Sequence, residues 1–177
     1  MFECYCRHGQ GSVRLHLPWR GAGKLAIAPK PIDQFLRRHR KVGLDTSVFI
    51  FQVEENKKYF NLTNLIFGWL EGPRAQAVTS TITLLEILVQ PYRLSDIDRV
   101  NKFYALLSTF PHLEWVAPSL RIADMGAHFR AEYNLRTPDA IQAATALSYG
   151  ATGFVSNDAG FRRVTGLDII VLDDLLE

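Results

Sequence analysis

Four acidic residues, Asp45, Glu86, Asp139 and Asp158, stand at places in the chain where carboxylates are expensive. Asp45 closes the run Lys41-Val42-Gly43-Leu44-Asp45, which reads as a buried strand. Asp158 follows a second such run, Gly153-Phe154-Val155-Ser156-Asn157. Asp139 sits just inside a helix start, Thr137-Pro138-Asp139, and Glu86 interrupts the apolar segment from Ser80 to Leu88. Isolated carboxylates are costly in such surroundings. Brought together by folding, they repel one another until a cation neutralises them. The chemistry this implies is a divalent-metal site made of hard oxygen ligands.

Each acid also has a plainer reading. Asp139 is placed where the helix macrodipole favours an acid. Asp158 can cap the short helix leading to Phe161 and Arg162. Asp45-Thr46-Ser47 can be a strand-to-helix turn. Glu86 is the hardest to dismiss, because a Glu buried in an apolar helix is rare without a partner.

The elements that must position these acids alternate from Val42 onward. Strands are expected at Val42–Asp45, Gln76–Thr79, Leu113–Val116, Thr152–Val155 and Leu167–Leu172. Between them lie helical segments. Tyr59–Glu71 is apolar on nearly every side and ends at Gly72-Pro73, so it needs two partners. One partner is its own sheet; the other is either deeper burial in the same domain or a second chain. A helix capped by Ser80 or Thr81 runs to Gln90 and stops at Pro91. Ser95 caps the next, through about Thr109. A helix from Pro118-Ser119 runs through Asn134, and Thr137 caps one that Gly150 terminates. Strands separated by helices give a parallel sheet covered on both faces. In open α/β sheets, sites form at the carboxyl ends of the strands, where Asp45 and Asp158 fall.

With 177 residues, 47% hydrophobic and 21% charged, the chain has the composition of one soluble globular domain. No apolar run approaches the roughly 20 residues needed to span a bilayer, and Arg7, His8 and Arg14 break any secretory apolar region. A cytoplasmic location is expected. The net charge of +2 hides an asymmetry. Residues 1–40 carry eight Lys or Arg against two acids, and the remainder is net acidic. Residues 1–40 therefore read as a basic, disordered extension or a misassigned start, with one short helix near Ile32–His39, and residues 41–177 read as the domain. Cys4, Cys6 and His8 resemble half a zinc site, but no second ligand pair exists in the sequence. Nucleotide-binding glycine fingerprints are also missing.

Four segments now carry a resemblance. Gly43-Leu44-Asp45-Thr46-Ser47-Val48-Phe49-Ile50, Thr83-Leu84-Leu85-Glu86-Ile87, Arg136-Thr137-Pro138-Asp139-Ala140-Ile141-Gln142-Ala143-Ala144-Thr145-Ala146 and Val155-Ser156-Asn157-Asp158-Ala159-Gly160-Phe161 resemble the PIN domain, in the family's order. Within that family the chain is most similar to VapC-type toxins. The resemblance implies an α/β fold, a Rossmann-like three-layer sandwich whose central parallel sheet of about five strands is flanked by helices. It also implies an endoribonuclease dependent on Mg2+ or Mn2+. Asp45, Glu86, Asp139 and Asp158 match the family's four acids and would be both metal ligands and catalytic residues. Thr46 or Ser47 matches the hydroxyl after the first acid, and Asn157 the polar neighbour of the last. RNA as substrate, a cognate antitoxin and a homodimer are the implied partners, with no membrane. The competing expectation is a PIN-like scaffold that binds RNA or protein without cutting. An aspartyl phosphatase is disfavoured, because Ser47 stands where such enzymes carry a second Asp.

Overall fold

The computed structural model describes residues 30–110 and 112–176. Cys4, Cys6 and His8 lie outside the described residues, as does most of the basic segment. The first described element is helix α1, Lys30–Arg38. Its Ile32, Phe35 and Leu36 are buried in the main core. Burying each such side chain stabilises by about 1.5–3 kcal/mol. The short helix expected near Ile32–His39 is therefore present and packed, and the folded unit starts ahead of residue 41.

Five parallel strands follow: β1 (Lys41–Leu44), β2 (Gln76–Ser80), β3 (Leu113–Val116), β4 (Gly153–Ser156) and β5 (Asp168–Val171). Their spatial order is β3-β2-β1-β4-β5. Strand β1 is central, and the order reverses between β1 and β4, which is where α/β sheets open a crevice. The strands alternate between two cores, as the period of two requires. Val42, Leu44, Ala77 and Val155 join one apolar cluster, while Val78 and Phe154 join the other.

Helices cover both faces. On one side lie α1, α2 (Thr46–Val53), α3 (Phe60–Leu70), α4 (Ile82–Arg93) and α5 (Ile97–Thr109), whose buried side chains share the first cluster. On the other lie α6 (Leu120–Tyr133) and α7 (Thr137–Ser148). Helix α7 is rich in small residues. Ala140, Ala143, Ala144 and Ala146 are buried against the sheet. Gly43 makes the close approach possible: a Cβ there would sit 2.7 Å from the Ala146 Cβ and 2.4 Å from the Phe154 ring.

Several local expectations need correction. Helix α2 was not anticipated as a helix of its own. Pro91 does not stop α4, which runs on to Arg93. A proline forfeits only the bond from its own nitrogen, and the Leu94 amide still reaches the Gln90 carbonyl at 3.0 Å. Ser95 does not cap α5, because its φ of +52° is left-handed whereas a cap residue is normally extended. Asp96 takes the role, accepting the Arg99 amide at 2.9 Å. Helix α3 buries Leu62, Ile66, Phe67 and Leu70, and its Leu65 and Trp69 pack on the same core. Of the two partners weighed for it, its own domain supplies the cover. Among the described residues no helix is long and apolar enough to cross a membrane.

Candidate active site

The fold delivers all four acids to the carboxyl edge of the sheet. Asp45 follows β1 directly and is the N-cap position of α2. Glu86 lies in the second turn of α4, which leaves β2. Asp139 is in the first turn of α7, and Asp158 caps the 3₁₀ turn Ala159–Arg163 that follows β4.

Asp45 is buried at 8% exposure. Its Oδ2 accepts the Ser47 hydroxyl at 2.7 Å and the Ser156 hydroxyl at 2.8 Å. Burial pushes its carboxyl above the ordinary range, and the two serines oppose that. The amides of Thr46 and Ser47 also favour the charged form, although neither makes a cap hydrogen bond. Ser47 further accepts the Asn157 amide at 3.2 Å, and Ser156 accepts the Asp158 amide at 2.9 Å. The two serines thus splice the ends of β1 and β4.

Glu86 is half-buried. Its Oε2 accepts the Thr46 hydroxyl at 2.5 Å. Burial raises its pKa, the Thr46 bond lowers it, the Asp45 charge raises it and the Arg136 charge lowers it. Asp139 is pushed up to about 6, first by burial and then by the charges of Asp45 and Asp158. Arg136 pulls the other way, and Glu86 adds a smaller upward push. Asp139 therefore feels the other three acids at once. Perturbation by burial together with named charges is the pattern of a candidate functional site.

Both hydroxyls after the first acid are engaged, Thr46 on Glu86 and Ser47 on Asp45. The Asn157 side chain turns away from the acids, with Nδ2 donating to the Tyr59 hydroxyl at 3.3 Å and Oδ1 accepting the Asp173 amide at 3.0 Å. Asp158 does take the plain role weighed for it, since its Oδ1 accepts the Gly160 amide at 2.7 Å. Sequence reasoning missed Ser156 and Gln142. Ser156 is buried at the end of an apolar strand, and Gln142 is a buried amide inside an alanine-rich helix. Each is a polar residue in an apolar run, which is the signal that could have found them. Of the two arginines that stand close in sequence to the acids, Arg162 is paired with Asp174. Arg136 is exposed at the start of α7, and its charge reaches both Glu86 and Asp139.

Among the described residues, no three His, Cys, Asp or Glu side chains are arranged as a ready-made metal cage. The donor set instead suits a hard ion that brings its own water. Magnesium uses one or two carboxylates and retains several waters. The site rises from buried Asp45 through half-buried Glu86 and Asp139 to exposed Asp158, so it opens to solvent. The donors are all oxygens, the chemistry of magnesium or manganese ligands and not of a closed zinc site.

The sequence matches the family model for the PIN domain over residues 42–167. The chain belongs to the PIN domain family. No curated protein matches this PIN domain in sequence. It is similar to the solved structure of VapBC2 from Rickettsia felis bound to a DNA fragment from their promoter, at 20% identity and a TM-score of 0.55, covering 74% of this chain and 98% of that one. A toxin–antitoxin complex from Klebsiella pneumoniae matches at 20% identity and TM-score 0.54, covering 75% and 97%. DNA-bound VapBC from Salmonella typhimurium matches at 22% identity and TM-score 0.54, covering 75% and 98%. At such identities the likeness concerns the fold, and the acids of this PIN domain stand on their own geometry.

Proposed function

We propose that this PIN domain is a divalent-metal-dependent endoribonuclease, the cytoplasmic toxin of a type II toxin–antitoxin pair. The observation that carries the reading is the placement of Asp45, Glu86, Asp139 and Asp158 together at the carboxyl edge of the sheet, where burial and the charges of the other three acids raise the Asp139 pKa to about 6. Four carboxylates sharing one field are unfavourable on their own and become favourable around a cation.

Asp45, Glu86 and Asp139 would hold a Mg2+ or Mn2+ ion, with Asp158 at the solvent side. When bound, the ion supplies charge neutralisation at the phosphate and an acidified water for hydrolysis. The chain's own residues do the rest. Ser47 and Ser156 fix the Asp45 carboxylate in one orientation. Thr46 fixes Glu86. Arg136, exposed and close enough for its charge to act on both acids, would meet a phosphate oxygen of the RNA. The hydroxyls at the site, Thr46, Ser47 and Ser156, are engaged on carboxylates, so the attacking group would be water.

The partner assignment rests on two supports. The similar structures are toxin–antitoxin complexes. In addition, the outer face of α4, the turn after it and the first residue of α5 expose Leu85, Val89, Tyr92, Leu94 and Ile97. Leu85, Val89 and Tyr92 recur at helical spacing and form a stripe suited to an amphipathic partner helix or to a second copy in a homodimer.

The test uses purified protein and a fluorescent single-stranded RNA. Cleavage is expected with Mg2+ or Mn2+, is stopped by EDTA and is lost in Asp45→Asn. The loss should exceed the roughly 10–100-fold typical of removing an outer partner. RNA bound but left intact at saturating Mn2+ would favour the non-catalytic binding module instead.

A further inference from the structure

Beneath the acids lies a set of buried polar side chains of which the four-acid scheme uses only Thr46. Gln142 is only 2% exposed, and Thr79, Thr83 and Thr46 around it are also buried. Gln142 is one turn along α7 from Asp139, on the face that meets the sheet.

The shortest contacts in this set give one consistent pattern of donors and acceptors, with the Thr79 hydroxyl nearer the Leu44 carbonyl at 2.9 Å than Gln142 Oε1 at 3.4 Å. The Ser80 backbone N–H can only donate, and it meets Gln142 Oε1 at 3.2 Å. That fixes the amide orientation. Gln142 Nε2 therefore faces the two threonine hydroxyls, donating to Thr46 Oγ1 at 3.2 Å and to Thr83 Oγ1. Each threonine accepts from the amide and has one proton left to give. The Thr79 hydroxyl donates to the Leu44 carbonyl at 2.9 Å, which can only accept. The Thr83 proton then goes to Thr79 Oγ1 at 2.8 Å. The Thr46 proton goes to Glu86 Oε2 at 2.5 Å, ahead of the alternative Thr83 oxygen at 3.3 Å.

We propose that Gln142 is a positioning residue for the metal site, acting through Thr46 to aim a hydrogen bond at Glu86. The amide occupies one acceptor position of Thr46 and leaves its proton one favoured target. Without that amide, the Thr46 hydroxyl is free to turn toward Thr83, and the Glu86 carboxylate loses its fixed donor. Because the set is buried, little water is present to substitute. The inference rests on the metal-site reading above and names the residue that orders it from behind. Outer partners of this kind typically tune metal affinity by 10–100-fold.

The test measures Mn2+ affinity of the full chain by the electron paramagnetic resonance of free Mn2+, with no RNA present. Gln142→Leu and Thr46→Val should each weaken Mn2+ binding by about tenfold or more. Thr46→Ser, which keeps the hydroxyl, should restore affinity to within about twofold of the parent. The double variant Gln142→Leu with Thr46→Val should be no weaker than the poorer single variant, since both act along one route. Unchanged affinity in folded Gln142→Leu, or losses that multiply in the double variant, would overturn the proposal. Should Gln142→Leu fail to fold, Thr46→Val against Thr46→Ser decides: equal affinities in that pair overturn the route through Thr46. A parent protein that binds no Mn2+ would fail the metal-site reading itself, and this inference with it.

Discussion

The Thr46 hydroxyl donates to the Glu86 carboxylate at 2.5 Å, across forty positions of sequence. It locks the helix leaving β1 to the helix leaving β2. A hydrogen bond to an ionised acceptor is about twice as strong as a neutral one. Here it also opposes the upward push that burial gives the Glu86 carboxyl.

Glu86→Gln separates structure from charge at this contact. The amide oxygen can still accept from Thr46, so the fold should survive with a melting temperature close to that of the parent. RNA cleavage should fall by about a hundredfold or more, because a ligand charge is gone. Single-turnover cleavage and a thermal melt in EDTA check both halves.

Asp139 makes stability depend on pH. Its folded pKa of about 6 lies above the ordinary 3.8, so the folded state binds the proton more tightly. The associated stability is fully present below pH 3.8 and is lost as pH rises through about 6. In EDTA, Asp139→Asn should therefore melt higher than the parent at pH 8, while the advantage vanishes near pH 4. A melting advantage equal at both pH values would contradict this origin.

Ser156 serves two acids. Its hydroxyl donates to Asp45 at 2.8 Å and accepts the Asp158 amide at 2.9 Å. Ser156→Ala should lower RNA cleavage by roughly 10–100-fold, the range for loss of an outer partner. The rate should recover partly at higher Mn2+, which a metal titration of the cleavage rate would show.

Gly43 sets how closely α7 lies on the sheet. A Cβ at this position would stand 2.4 Å from the Phe154 ring and 2.7 Å from Ala146. Gly43→Ala should cost about 1–3 kcal/mol by overpacking, a fall of several degrees in melting temperature. Because Gly43 is two residues before Asp45, cleavage should fall as well.

The sheet was legible in the sequence because parallel strands buried on both faces read as short apolar runs bounded by turn residues. Gly150 marked the end of α7 and Pro138 its first turn, although Arg136 rather than the expected Thr137 holds the cap position. Helix α2 escaped because Val48, Phe49, Ile50 and Phe51 follow the strand with no polar face to give a helical period. Helix α1 was only half seen: its Ile32, Phe35 and Leu36 are spaced for burial, but the surrounding basic composition hid them. The four acids stood out as carboxylates in apolar settings. The roles of Gln142 and Ser156 did not, because a polar side chain's partners lie on other elements. Gln142 meets residues some sixty and ninety-six positions away, and no local pattern records that pairing. Thr46 and Ser47 could be told apart only once Glu86 and Asp45 were each in place.

The central claim is that the four acids share a cation, and the position of a bound ion tests it most directly. A crystal soaked in Mn2+ should show an anomalous peak within about 2–2.5 Å of an Asp45 carboxylate oxygen, with Glu86, Asp139 or Asp158 contributing directly or through water. No peak at saturating Mn2+, or a peak held by other residues while this cluster stays without one, would contradict the account.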